Sequence, residues 1–443
     1  MKLIRTLYLT NRFFAALGGV ATVFVVAFYL PVALPVAKFL LAGFALLALA
    51  EFAALYRVKT GVIAVRNTPE KLSNGDENTI TIGVENTYGF AAAVAVVDEM
   101  PFQFQVRDSL HRFTMSSGAS VNISYTLRPV KRGEYSFGAV NVFVSTALGI
   151  VERRFRYSQD AVVPVYPSYL QLRRYELMAI SNRLSEAGMK RIRKVGHSME
   201  FENIRQSVRG DDYRTINWKA TSRSGDLKVN HYTDEKAQQV YNVIDKGRTM
   251  KMPFEGMTLL DYAINSSLVM ANVALIKQDK AGLVTFSHKQ GAMIPAERRS
   301  GQMRRIQEAL YAEKTGYVES NFEHLFAMLK KHAPQRSLVL LYTNFETLDG
   351  MQRTLPLLRS IAKNHLLVVI FFENTELQSL LHSEPENTEE IYIKTIAEKF
   401  AYEKRQIVKE LHRYGIQSVL TPPKSLTVNT VNKYLEIKAR RMI

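Results

Sequence analysis

Two clusters in this 443-residue sequence have the residue types and spacing that chemistry needs. The first lies in residues 196–223, where Glu200, Glu202, Asp211 and Asp212 are interleaved with Arg205, Arg209, Arg214, Lys219 and Arg223 around the single tryptophan, Trp218. Carboxylates among guanidinium and ammonium groups can pin a segment by ion pairing, form a charged docking face, or act as an acid-base pair. Side chains alternate across a strand, so adjacent Asp211 and Asp212 cannot both point into one site from a regular strand. The ion-pair network is the favoured reading, with the docking face second. Asp212 is an N-cap type of residue and predicts a helix over 213–222. The second cluster is Asp245-Lys246-Gly247-Arg248-Thr249, directly after the apolar run 240–244. Loops at the carboxyl ends of parallel strands converge where ligands bind, and an oxygen-rich set there suits magnesium or calcium.

Other chemistries find no support. No GxxxxGK[ST] loop, GxSxG elbow or HExxH helix occurs, and the nine histidines are scattered without metal-ligand spacing. With no cysteine, the chain has neither disulfides nor thiolate chemistry.

The second cluster must be positioned by the region from residue 239 onward, where apolar strand patterns at 240–244, 282–286, 337–342, 366–372 and 418–420 alternate with helical ones. Among the helices are 259–276 and a later one with Ile396, Phe400, Ile407 and Leu411 on one stripe before Gly415. Strands this apolar are buried on both faces, which predicts a doubly wound, mostly parallel α/β sheet. Residues 61–167 show period-two alternation, as at Thr79-Ile80-Thr81-Ile82, and predict an antiparallel β-sandwich. Between the two lie a basic tract at Lys190, Arg191, Arg193 and Lys194 and the first cluster. The expected divisions are 1–60, 61–167, 168–235 and 236–443.

The N-terminal division predicts two membrane helices, at 13–30 and 36–55, each roughly 27–30 Å long at 1.5 Å per residue. Pro31 and Pro35 turn the chain between them. A cleaved signal peptide is the competing reading of the first stretch, disfavoured because a second span follows at once. Lys2, Arg5 and Arg12 precede the pair and Arg57, Lys59 and Arg66 follow it, so both ends are expected in the cytoplasm. Glu51 reads as a carboxylate snorkelling toward the interface. The net charge of +17 suits an anionic leaflet, and with no recognition helix or stacking motif beside the basic residues, no nucleic-acid partner is expected.

These residues add up to a familiar pattern. The stretch from Gly196 through Asn217-Trp218-Lys219-Ala220 to Val243-Ile244-Asp245-Lys246-Gly247-Arg248-Thr249-Met250 resembles the signature of the bacterial domain-of-unknown-function fifty-eight family. Val165-Tyr166-Pro167 and Leu420-Thr421-Pro422-Pro423 are similar to its landmarks. The resemblance implies a von Willebrand factor A-like α/β domain on a membrane anchor, working with a MoxR-type AAA+ ATPase in the assembly or maturation of protein complexes. The metal site of that domain type reads Asp-x-Ser-x-Ser with a later Thr and Asp. Asp245 and Thr249 match it, Ser320 stands for the Thr, Asn344 for the last Asp, and Gly247 replaces the first Ser. A site short of one oxygen and one charge is expected to hold magnesium weakly or not at all, and no other cofactor is implied. The expectation is therefore a non-enzymatic adaptor in the bacterial inner membrane, two-pass, with its soluble domains in the cytoplasm. Its partner-binding residues would be Arg205, Asp211, Asp212, Arg214, Trp218, Lys219 and Asp245. Self-association into a homo-oligomer stays open. The alternative is a metal-assisted hydrolase using Asp211, Asp212 or Asp245.

Overall fold

The computed structural model describes residues 6–106, 109–173, 199–208, 211–234, 237–375, 377, 381, 385 and 387–442. The expected basic tract at 190–194 and Arg209 lie outside them. The chain divides into two compact units, Met1–Tyr166 and Pro167–Ile443.

The first unit opens with strand β1 (Leu7–Leu9), followed by helices Asn11–Tyr29 and Leu34–Tyr56. Thr10 caps the first helix by accepting from the Phe13 amide at 3.3 Å. A single turn, Pro31–Ala33, joins the two helices, and Pro35 falls in the first turn of the second, where a missing N–H leaves no bond unmade. Both helices are long and apolar enough to cross a bilayer, and their large side chains face outward, as at Phe28 (82% exposed) and Phe39 (79%). Exposed apolar surface of this extent is compatible with a membrane anchor.

Among the described residues ten strands follow: β2 (Val62–Asn67), β3 (Leu72–Ser73), β4 (Asn78–Asn86), β5 (Ala92–Asp98), β6 (Leu110–Met115), β7 (Ser120–Leu127), β8 (Gly133–Phe137), β9 (Val140–Ser145), β10 (Val151–Tyr157) and β11 (Ala161–Tyr166). They form sheets ordered β1-β10-β9-β5-β6, β2-β4-β7 and β3-β11-β8, antiparallel except for the short β3–β11 pair. Alternate residues of each strand turn inward: Ile82 and Val84 of β4 share a core with Val94 and Val96 of β5 and Val142 and Val144 of β9. Arg66 and Asp98 form a buried ion pair at 2.6 Å, and Asp98 also accepts from the Tyr125 hydroxyl.

Glu51 corrects the snorkelling expectation. Its carboxylate is buried and accepts from the backbone amides of Gly149 (3.1 Å), Ile150 (3.0 Å) and Val151 (3.1 Å) and from the Thr146 hydroxyl. The loop between β9 and β10 wraps its amides around this group, which meets its hydrogen-bonding needs without water.

In the second unit, β12 (Met199–Gln206) pairs antiparallel with β13 (Lys228–Asp234). Then come β14 (Gln239–Asp245), a minimal hairpin of β15 (Pro253–Phe254) and β16 (Met257–Thr258), β17 (Lys280–Phe286), β18 (Gln290–Glu297), β19 (Leu338–Tyr342), β20 (Leu366–Phe372) and β21 (Gln417–Thr421). The six-stranded sheet is ordered β18-β17-β14-β19-β20-β21, parallel except for β18, so it is mixed. Both faces are buried: Val240 and Ile244 of β14 join one core, Tyr241 and Val243 the other. Helices Leu259–Ile276, Gln302–Tyr311 and Leu426–Ala439 cover the first face through Leu268, Ile306 and Val431. Phe322–His332, Leu348–Asn364 and Thr388–Arg413 cover the second through Leu325, Leu358 and Ile407. Leu259–Ile276 also has the length and apolarity of a membrane span, yet it is mostly buried here as a core helix.

Candidate functional site

Strand β14 lies between β17 and β19, where the connections leave in opposite directions along the sheet; ligand crevices form at such reversals. Asp245, the last residue of β14, is buried there. Its Oδ1 accepts from the Gly247 amide at 2.8 Å and from the Ser320 hydroxyl; its Oδ2 accepts from Thr343 Oγ1 at 2.7 Å. Burial pushes the Asp245 carboxyl above the usual carboxylate range, and these three donors oppose the shift.

The loop after β14 is clamped to residues 313–320. Lys246 Nζ pairs with Glu313 at 2.6 Å, and Thr285 Oγ1 donates to the same carboxylate at 2.7 Å. The Arg248 amide donates to Val318 O at 3.0 Å, Arg248 pairs with Glu319 at 3.1 Å, and Lys251 Nζ lies 3.2 Å from the Tyr317 ring centroid. At Gly247 φ is −69°, so the backbone does not demand glycine. Space does: a Cβ there would lie 2.1 Å from Ser320 Oγ and 3.1 Å from Asp245 Oδ1.

Of the residues matched to that metal site, Ser320 bonds to Asp245 and Asn344 directly follows Thr343, which also does so, while it is only through its backbone that contact is made by Thr249. Its carbonyl receives the Asn344 amide at 3.5 Å, while the hydroxyl on Asp245 comes from Thr343, one residue past β19. Asn344 Oδ1 is taken by Lys404 Nζ at 2.7 Å. This donor set does not fit a hard divalent cation. It contains one carboxylate with both oxygens engaged, an amide oxygen held by an ammonium, and no room for a hydroxyl at Gly247. Thr343 and Lys404 were not singled out from the sequence; the position of Thr343 directly after an apolar strand was the available signal.

The first cluster forms an exposed ribbon. Arg205 pairs with Asp211, whose Oδ2 also accepts from the Val208 amide at 2.8 Å. Asp212 accepts from the Arg214 amide at 3.0 Å and caps only the short turn Tyr213–Thr215, not a helix over 213–222. The expected helix fails there because Ile216 turns extended to bridge Val229, and the Asn217 amide donates to Lys228 O at 2.8 Å. The helix proper, Trp218–Ser224, is capped by Asn217, which accepts from the Ala220 amide at 3.0 Å. Each of these contacts joins residues within 205–230. Tyr213 (72%) and Trp218 (70%) are exposed, with Arg214 and Lys219 exposed beside them. For Glu200 and Glu202 only the backbone, in β12, is described.

Among solved structures, the chain is similar over 24% of its length to a PapD-like domain of human CEP192 (85% of that chain, 14% identity, TM-score 0.19). Over 22% of its length it is similar to the CARDB domain of PF1109 from Pyrococcus furiosus (93% of that chain, 13% identity, TM-score 0.16). Likeness this slight carries no argument here. The uncharacterized protein YeaD of Bacillus subtilis is 23% identical over 204 residues, which are 44% of this chain and 50% of YeaD; the chain thus matches about half the length of that relative. The family model described as protein of unknown function DUF58 matches residues 203–409, from the middle of β12 through the Asp245 loop to the Thr388–Arg413 helix. On that stretch, a little under half of its length, the chain is similar to the DUF58 family.

Proposed function

We propose that this chain is a membrane-anchored, non-enzymatic adaptor whose α/β domain is von Willebrand factor A-like and docks a MoxR-type AAA+ ATPase, in the assembly or maturation of protein complexes. The observation that carries the reading is the sheet order β18-β17-β14-β19-β20-β21, with the Asp245 loop at its reversal point and a single antiparallel edge strand. On this reading the strands of the first unit form a β-sandwich. The two N-terminal helices hold the protein in a bacterial inner membrane, with both soluble parts in the cytoplasm, as the flanking Arg12, Arg57 and Lys59 favour. Exposed Trp218 and Tyr213, with Arg214 and Lys219 beside them, give the partner an aromatic and cationic surface of the kind that dominates protein interfaces.

The hydrolase alternative draws less support. Asp211 is paired with Arg205, Asp212 caps a turn and Asp245 is enclosed by its three donors, so each of these carboxylates has a structural task. The test is co-purification from membrane extracts with the tagged chain and with Trp218→Ala. The parent is expected to retain a MoxR-type ATPase and the variant to lose most of it. Absence of any AAA+ ATPase from the parent sample, or metal-dependent turnover of simple esters by the purified chain, defeats the proposal.

A further inference from the structure

A cavity of about 330 Å³ opens at the carboxyl ends of β19, β20 and β21, walled by Met252, Phe254, Leu259, Phe372 and Phe400. Its size falls at the lower end of small-ligand sites, roughly 300–1,000 Å³, and its mostly apolar lining is typical of them. Lys404, on the Thr388–Arg413 helix, brings an ammonium into this lining. One of its three N–H groups donates to Asn344 Oδ1 at 2.7 Å, and Nζ lies 5.7 Å from the Phe371 ring centroid. Among the described residues no second acceptor takes the other two N–H groups. Glu346 and Glu373 are the other charged side chains in the lining and act on Lys404 only through space. A desolvated ammonium with donors to spare calls for an anionic acceptor, and apolar walls call for a hydrocarbon attached to it.

We infer that this cavity binds a small carboxylate carried on an apolar group, with Lys404 receiving the carboxylate and the aromatic walls the hydrocarbon. The same chemistry is offered by a free apolar acid and by a peptide C-terminus ending in an apolar residue. Neither depends on the ATPase reading.

The test uses the full chain in lipid nanodiscs, with empty nanodiscs as the partition control. Calorimetry would compare 3-phenylpropanoate with 3-phenylpropanamide, and a tetrapeptide ending in free phenylalanine with its C-terminal amide. At least one acid is expected to bind at least tenfold more tightly than its amide, and the arm that does so names the source. Lys404→Met, which keeps an apolar stem, is expected to abolish the preference. Should that variant fail to fold, the parent's preference for acid over amide decides. Equal affinity for acid and amide, or no binding of either acid at millimolar concentration, overturns the inference.

Discussion

Replacing Gly247 by alanine tests whether the Asp245 cluster is packed shut around Ser320. The added Cβ would sit 2.1 Å from Ser320 Oγ and 3.2 Å from the Ser320 amide nitrogen, so it can be accommodated only if Ser320 leaves the Asp245 carboxylate. With φ at −69°, backbone strain contributes nothing, and the cost is overpacking plus a loosened hydrogen bond. Overpacking alone costs about 1–3 kcal/mol. At roughly 2–4 °C per kcal/mol for a unit of this size, the melting temperature should fall by about 2–12 °C. Ser320→Ala by itself removes a donor from a buried carboxylate, worth about 1–3 kcal/mol. In the double variant the clashing oxygen is gone, so the combined loss should be smaller than the sum by about 1 kcal/mol or more. Thermal unfolding by circular dichroism, with the α/β unit identified by hydrogen exchange, measures all four proteins. Additivity within about 0.5 kcal/mol, as for independent sites, or an undisturbed Gly247→Ala, would refute the packing argument.

Glu51→Gln should expose part of the β9–β10 loop to exchange, because the amide nitrogen of glutamine cannot accept from the loop's N–H groups. The cost is about 1–3 kcal/mol for each group left unmet, and unchanged exchange at Gly149, Ile150 and Val151 would contradict it. Arg66→Met strands the buried Asp98 and should destabilise the first unit by about 3–5 kcal/mol, with Arg66→Met/Asp98→Leu recovering most of the loss; denaturant titration reads both. Lys404 is held down to about 8, from an ordinary value near 10.5, so the folded state binds this proton less tightly than the unfolded state. Stability therefore rises with pH between the two values, and the penalty carried at pH 7 is on the order of 3 kcal/mol. Lys404→Met should be more stable than the parent at pH 7, and the gain should shrink as pH approaches 10; a gain that does not vary with pH contradicts the assignment. Trp218→Ala is expected to leave the melting temperature within about 2 °C, since the ring is 70% exposed, so a loss of partner binding would reflect the surface.

What could be read from the sequence follows from how local each signal is. Strands β14, β17, β19 and β20 announced themselves because burial on both faces leaves continuous apolar runs, the edge strand β21 by a shorter run, and the Leu259–Ile276 helix because apolar residues dominate it. Gly415 ends the Thr388–Arg413 helix with φ at 74°, as a glycine after such a stripe should. Of that stripe, Ile407 and Leu411 are buried while Ile396 is 53% exposed, because only the later turns of the helix pack on the sheet. Strand β18 was missed: it is an edge strand carrying Pro295, a residue the interior of a sheet excludes. The site itself was half legible. Asp245 follows its strand directly, but Thr343 meets it across 98 positions, and Lys404 meets Asn344 across 60. No periodicity encodes such meetings; the crossovers of the fold create them.

The loop between β9 and β10 is gripped from two sides. Thr10 and Arg12 donate to the carbonyls of Gly149 and Leu148 at 2.6 and 3.1 Å, while Glu51 takes the amides, and β1 extends the grip along β10. The entering and leaving ends of the apolar helix pair are thus sewn to the same sheet edge, which puts both ends on one side of whatever the pair crosses, whatever the flanking charges. The helix pair is thereby held to the sheet at both of its ends, as a bracket is and a flexible leash is not.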